Sequence, residues 1–155
     1  MKPSQNFFDL VEAFEGLKLT AYKDIAGIWT IGFGTITYPN GEKVKEGDTC
    51  LPQEAQDYLI RHIAGAQIPP MTQPQYDACL DFIYNVGQGA FNSSSLKLAI
   101  NAQSDNETIT ADFLKWDKAH VNGELVEVAG LKRRRMCEAY LFCNGINHPT
   151  FFEKK

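Results

Sequence analysis

Apolar and polar positions alternate with two different periods along the chain, and the change of period marks the elements. Phe7, Leu10, Val11 and Phe14 recur at helical spacing, the stripe of an amphipathic helix. Ser4 is its expected N-cap, Pro3 lies just outside, and Gly16 is its stop. At WTIGFGT the period drops to two. Trp29, Ile31 and Phe33 point one way, and Thr30, Gly32 and Gly34 the other, so a strand with one buried face is expected. Asn40-Gly41 between short β-prone runs is a hairpin signal, giving a small sheet of two or three strands from about Trp29 to Val44.

Beyond residue 50 the helical period returns. Pro52 fits the first position of a helix and Glu54 the third, with Leu51 a poor N-cap and Leu59, Ile60 and Ile63 on the apolar side. Gly65, Pro69 and Pro70 end it. Thr72 and Gln75 form a capping-box pattern for a helix over about 73–86, with Tyr76, Cys79, Leu80, Ile83 and Tyr84 apolar. Gly87 stops this helix, Gln88–Asn92 turns the chain, and Ser93–Ser95 offer caps for a helix through about Gln103. Ile109, Phe113 and Trp116 mark another helix, with Trp116 read as core. Asn122-Gly123 predicts a loop or small hairpin. A last helix places Leu131, Met136, Tyr140 and Leu141 inward and stops at Gly145, with Lys132–Arg135 read as solvated charge or a small polyanion patch. NHPTFFEKK is expected to be a short docked tail with a frayed end.

Composition narrows the function classes. With 155 residues, 44% hydrophobic and 22% charged, the chain has the make-up of one globular domain or two small lobes. Formal net charge is −4; residues 1–78 hold six Lys/Arg against ten Asp/Glu, and residues 79–155 nine against nine. This argues against a nucleic-acid binder, which needs a basic face. No apolar run is long enough for stable membrane insertion, and MKPSQNFFDL lacks the apolar region of a signal peptide, so a cytosolic start is expected. The four cysteines have no metal spacing with the histidines and are expected reduced; Cys137 and Cys143, six apart on one helix, should not pair. No metal and no cofactor is implied.

Three residues in the first third carry candidate chemistry. Glu15 ends the first predicted helix, where the dipole disfavours a carboxylate anion, a setting that suits a general acid. Asp24 lies in the turn AYKDIAG. Thr30 is the one functional side chain on the glycine face of the strand, where a ligand or another segment approaches closely. Taken singly, each also fits a bland role: a solvated glutamate, a turn aspartate, a packing contact.

Taken together they are far more specific. Glu15, eight residues, Asp24, five residues, Thr30, then Ile31-Gly-Phe-Gly34 resembles the catalytic motif of the phage-type lysozymes, the endolysins of glycoside hydrolase family 24. DFIYNVGQGAFNSSSL, FLKWDKA and AGLKRRRMCEAYLF are similar to that family's later helical motifs, in the same order.

The resemblance implies an α+β lysozyme-like fold in a single domain. A small β lobe with a connecting helix would span about 15–60, and a helical lobe would hold 1–14 with 61–155, the cleft lying between them. It implies hydrolysis of the β-1,4 bond between N-acetylmuramic acid and N-acetylglucosamine in peptidoglycan. Glu15 would protonate the leaving oxygen, while Asp24 and Thr30 would hold a water on the opposite face. Such an inverting arrangement sets its two carboxyl groups ~6.5–9.5 Å apart. Gly34, Ile36, Tyr84, Asn85 and Ser95 match saccharide-lining positions, and Arg134 matches an arginine that pairs with the catalytic glutamate. Thr35 stands where many members carry histidine. The implied setting is a monomer in the cytoplasm of a phage's host, reaching the wall after membrane permeabilisation, with a holin acting only indirectly. A lytic transglycosylase, a non-catalytic wall-binding module and a membrane-disrupting role for Lys132–Arg135 are the alternatives; Asp24 and Thr30 favour the hydrolase.

Overall fold

The computed structural model describes residues 1–148, so the expected docked tail falls largely outside the described residues. Among the described residues, seven helices and two hairpins follow one another as α1 (Gln5–Glu15), β1 (Lys18–Lys23), β2 (Trp29–Gly32), α2 (Pro52–Ile63), α3 (Gln73–Val86), α4 (Gln88–Ser93), α5 (Ser95–Asn101), α6 (Asn106–Leu114), β3 (Lys118–Val121), β4 (Glu124–Glu127) and α7 (Ala129–Asn144). The fold is α+β, as expected. The chain forms two compact units, Val11–Gly65 and Met1–Leu10 with the chain from Ala66 onward.

The Val11–Gly65 unit holds the first hairpin and α2. β1 pairs antiparallel with β2, Lys23 opposite Trp29 and Tyr22 opposite Thr30, with an irregularity between Lys18 and Tyr22. The sequence pattern did not announce β1, because its residues are exposed or half-buried and show no alternation. The expected sheet to Val44 is smaller than its signal. β2 ends at Gly32, and the chain beyond it makes single bridges, Ile31 with Thr35, Thr37 with Lys43 and Thr49 back to Thr20 of β1. The Asn40-Gly41 turn does form: Tyr38 N–H donates to the Glu42 carbonyl at 2.8 Å, and Gly41 takes φ +90°.

Ile31 and Phe33 are buried as predicted, but so are Thr30 and Gly32 of the glycine face. Gly32 has φ +66°, and a Cβ there would lie 3.1 Å from Ala55 Cβ of α2. The strand glycine admits a helix. In α2 itself, Ala55, Leu59 and Ile63 are buried, whereas Ile60, expected on the apolar side, is exposed, since it lies off the stripe those three define. The Glu54 carboxylate accepts from Leu51 N–H at 2.8 Å, so the weak cap is repaired from the third position.

The other unit is built on α3, against which α7 packs, with α6 on α7 and α5 on α6. Phe82 is fully buried and meets Phe91, Phe113 and Trp116 edge-on at centroid distances of 6.2, 5.7 and 5.6 Å. Residues 77 to 83 of α3 are all buried, a wider face than the apolar stripe predicts, because Asp77 and Asp81 are buried with partners. Asp77 accepts from Ser4 N–H and from the Gln73 amide, each at 3.0 Å. Gln88–Asn92 is helical rather than a turn, as part of α4, and α5 ends at Asn101, two residues early, where Gln103 takes φ +52°. Ser94 is the cap of α5, its hydroxyl accepting from Lys97 N–H at 3.1 Å.

In α7 the expectation fails at two points. Met136 is 40% exposed, and the basic run is not simply solvated charge, for Arg134 and Arg135 are buried with Cys137 and Glu138. All four cysteines are free; Cys79 and Cys137 are buried, and burial pushes the Cys137 thiol up to about 12. No described helix is long and apolar enough to cross a membrane.

Candidate functional site

Glu15 is the last residue of α1. Gly16, at φ +73°, closes the helix with its N–H on the Glu12 carbonyl at 2.9 Å, which leaves the Glu15 side chain exposed at the helix end.

Asp24 opens the loop between β1 and β2, and Thr30 is the second residue of β2. Both bind the backbone of the same residue, Ile28. Asp24 Oδ1 accepts from Ile28 N–H at 2.9 Å, and the Thr30 hydroxyl donates to the Ile28 carbonyl at 2.9 Å. The backbone repeats the clamp: Asp24 N–H donates to the Ile28 carbonyl at 3.0 Å and Gly27 N–H to the Asp24 carbonyl at 2.9 Å. Ile28 is therefore the hub of this loop through its backbone, which no side-chain pattern could reveal. The clamp fixes what the two side chains can offer. Thr30 has spent its one proton on Ile28, so toward a ligand its hydroxyl is an acceptor. Asp24 Oδ2 carries no hydrogen bond among the described residues, and an ionised carboxylate only accepts. The two groups thus present acceptors from a rigid hairpin end, Asp24 half-buried and Thr30 3% exposed.

Gly34 and Ile36 follow in the same unit. Gly34, at φ +110°, makes the tight turn after β2 and is exposed; Ile36 is 41% exposed, and its carbonyl accepts from Val44 N–H at 3.1 Å.

The remaining sequence-named residues lie in the helical unit. Tyr84 and Asn85 sit half-buried in the last turn of α3. Ser95 begins α5; its hydroxyl donates to Asp112 Oδ1 at 2.9 Å and accepts from Lys115 Nζ at 3.1 Å. Arg134 grips Asp81 with two parallel bonds, Nε to Oδ2 at 2.9 Å and Nη2 to Oδ1 at 2.8 Å. Asp81 was not singled out from the sequence; a carboxylate amid a buried helical stripe is the signal that points to it. Beside this pair, Arg135 Nη2 donates to Glu138 Oε1 at 2.7 Å, and its guanidinium lies 5.0 Å from the Phe82 ring centroid. Burial, with Asp81 adjacent, pushes the Glu138 carboxyl well above the usual range despite Arg135. Burial would raise Asp81 as well, but Arg134 and the other neighbours together hold it below. Among the described residues, no group of three or more His, Cys, Asp or Glu is placed to hold a metal ion.

Comparison with known proteins gives this geometry a context. The phage lysozyme family model matches residues 12–138. The endolysin of Acyrthosiphon pisum secondary endosymbiont phage 1 is 36% identical, over 92% of this chain and 98% of its own. Among solved structures, the endolysin from Escherichia coli O157:H7 phage FAHEc1 superposes with a TM-score of 0.85 at 33% identity, covering 96% of this chain and 97% of that one. A P22 lysozyme mutant superposes at 0.75 and 29% identity, covering 92% and 98%. Several further relatives are SAR-endolysins.

Proposed function

Because the chain belongs to the phage lysozyme family, glycoside hydrolases that degrade peptidoglycan, we propose that it is a muramidase in which Glu15 is the general acid and Asp24 with Thr30 positions the attacking water. The bond cut is the β-1,4 link between N-acetylmuramic acid and N-acetylglucosamine, and cleavage lyses the host cell.

The observation that carries the reading is the shared clamp on Ile28. A water has two protons. Given to Asp24 Oδ2 and Thr30 Oγ1, both acceptors, they leave its lone pairs facing away from the hairpin, toward a sugar carbon. A donor at either position would turn the water round. Glu15 supplies the complementary need, a proton for the departing oxygen. Attack opposite the leaving group inverts the anomeric centre.

In this reading both compact units belong to one lysozyme domain acting as a monomer. Gly34, Ile36, Tyr84 and Asn85 contact saccharide. Ser95, already held by Asp112 and Lys115, can offer a sugar only its remaining lone pair, as an acceptor. Arg134, held rigid by Asp81, supplies a fixed cation for the Glu15 carboxylate. The enzyme meets the wall once the inner membrane is permeabilised.

The test is wall clearance by purified protein with Glu15→Gln alongside. The variant should keep its circular dichroism and its binding to sacculi, yet lose about 10²–10⁴ in rate, the range for removing a positioned acid. A Glu15→Gln protein that clears walls at the native rate would refute the assignment.

A further inference from the structure

A cavity lies wholly within the Val11–Gly65 unit and includes none of Glu15, Asp24 or Thr30. It has a volume of about 650 Å³ and runs between α2 and the segment 38–49, a size suited to a small ligand. A neighbouring hollow of about 370 Å³ shares Pro39, Tyr58 and Arg61 with it, so the space continues along α2 past Arg61.

Its floor is set in advance. Tyr38 and Tyr58 meet edge-on at 5.3 Å, and Tyr38 Oη donates to Asp48 Oδ2 at 2.8 Å. Asp48 also accepts from Lys45 N–H at 3.1 Å, which ties the loop to the ring pair.

The rim is less settled. Some of its charges are already engaged: Asp48 by Tyr38, Glu54 by the cap of α2, and Lys43 by Thr37 Oγ1 at 2.9 Å. Four others form no ion pair among the described residues. Lys45 and Arg61 make no ion pair among the described residues, although carboxylates line the same cavity. Glu42 forms no ion pair either, and Asp57 accepts only from the Gln53 amide, at 3.2 Å. Two cations and two anions therefore line one space without an ion pair between them, Lys45 feeling Asp48 only at longer range. A neutral sugar would leave them unanswered, and a polyphosphate would meet the carboxylates. A short chain carrying both carboxylates and an ammonium group would answer both signs.

We propose that this cavity binds the peptide stem of peptidoglycan, with stem carboxylates at Lys45 and Arg61 and a diamino-acid ammonium at Glu42 and Asp57. The proposal rests on the peptidoglycan reading above and adds to it a peptide-specific contact remote in sequence from the catalytic trio. The enzyme would then grip walls by their peptides as well as their glycan. Walls with diamino-acid side-chain amines left free would be held more tightly than walls where cross-linking consumes them.

The experiment is an NMR titration of the full native protein with free L-alanyl-γ-D-glutamyl-meso-diaminopimelate, a ligand it cannot cleave. Resonances of Lys45, Tyr58 and Arg61 should shift with millimolar or tighter affinity. Arg61→Glu should weaken binding about tenfold or more, the loss of one charge-assisted contact. Asp57→Asn, a milder change on the same exposed helix face, should weaken it in the same direction, and the spectra themselves report that both variants are folded. Absence of shifts in residues 38–61 at millimolar peptide overturns the proposal. So does an unchanged affinity in both variants, or the same shifts from glycan strands stripped of peptide. Catalysis is read separately: protein that binds the tripeptide but cleaves no wall would refute the muramidase reading and leave this one standing.

Discussion

Replacing Gly32 by alanine tests whether the glycine face of β2 serves packing or ligand. At φ +66° an L-residue is strained by about 1–2 kcal/mol. The added Cβ would sit 3.1 Å from Ala55 Cβ, inside the ~3.5–4.0 Å at which two carbons attract. Overpacking of this kind costs about 1–3 kcal/mol. The expected loss is therefore about 2–5 kcal/mol, a fall in melting temperature of roughly 4–20 °C for a chain of this size. The partner change separates the two contributions. Ala55→Gly costs about 1 kcal/mol by itself as a mid-helix glycine but opens the space. In that background Gly32→Ala should cost only its backbone strain, so the double-mutant cycle should show a coupling of about 1–3 kcal/mol. Calorimetry of the four proteins measures it. Zero coupling, or a Gly32→Ala protein as stable as the native one but weakened in glycan binding, would refute the packing account and return the glycine to the ligand.

Other outcomes follow from the same geometry. Arg134→Met leaves Asp81 buried without its bidentate partner and should cost about 3–5 kcal/mol, whereas Glu138→Gln, which mimics the protonated acid, should stay within about 1 kcal/mol; thermal melts compare them. Since Glu138 titrates above the ordinary glutamate range when folded, the native protein retains a proton that the unfolded chain releases. Its stability should decline as pH rises from that ordinary range to the raised folded value, and Glu138→Gln should flatten this slope in denaturant titrations across pH. Thr30→Ser should keep most wall-clearing activity and Thr30→Val should lose about tenfold or more, because the water needs the acceptor and Ile28 needs the donor. Cells expressing the protein should stay intact until the inner membrane is breached; spontaneous lysis of unbreached cells would contradict the proposed route.

The Glu15, Asp24 and Thr30 motif and most helices were legible because their signals are local. The Gln73–Val86 helix is announced by its capping box and ended by Gly87, and both hold. The Glu15, Asp24 and Thr30 spacing survives as a motif because one short hairpin carries two of the three. What escaped depends on partners distant in sequence. β1 acquires its identity from partners, β2 on one edge and the Asp48–Cys50 segment on the other. Pattern alone reads Arg134 and Arg135 as surface charge, and only the family resemblance sets Arg134 apart, because nothing in LKRRRM discloses that Asp81 and Glu138 await them in the interior. Ile28 contributes only its backbone, and a backbone role has no side-chain signature.

The central claim is that water, held by Asp24 and Thr30, breaks the glycosidic bond after Glu15 protonates it. Digestion of purified peptidoglycan in heavy-oxygen water, with mass spectrometry of the muropeptides, tests this most directly. The account predicts reducing-end muropeptides carrying the heavy oxygen on muramic acid from the native protein and none from Glu15→Gln. Anhydro-muropeptides free of label would contradict it, showing that the chain makes a lytic transglycosylase's product and that Asp24 and Thr30 hold no attacking water.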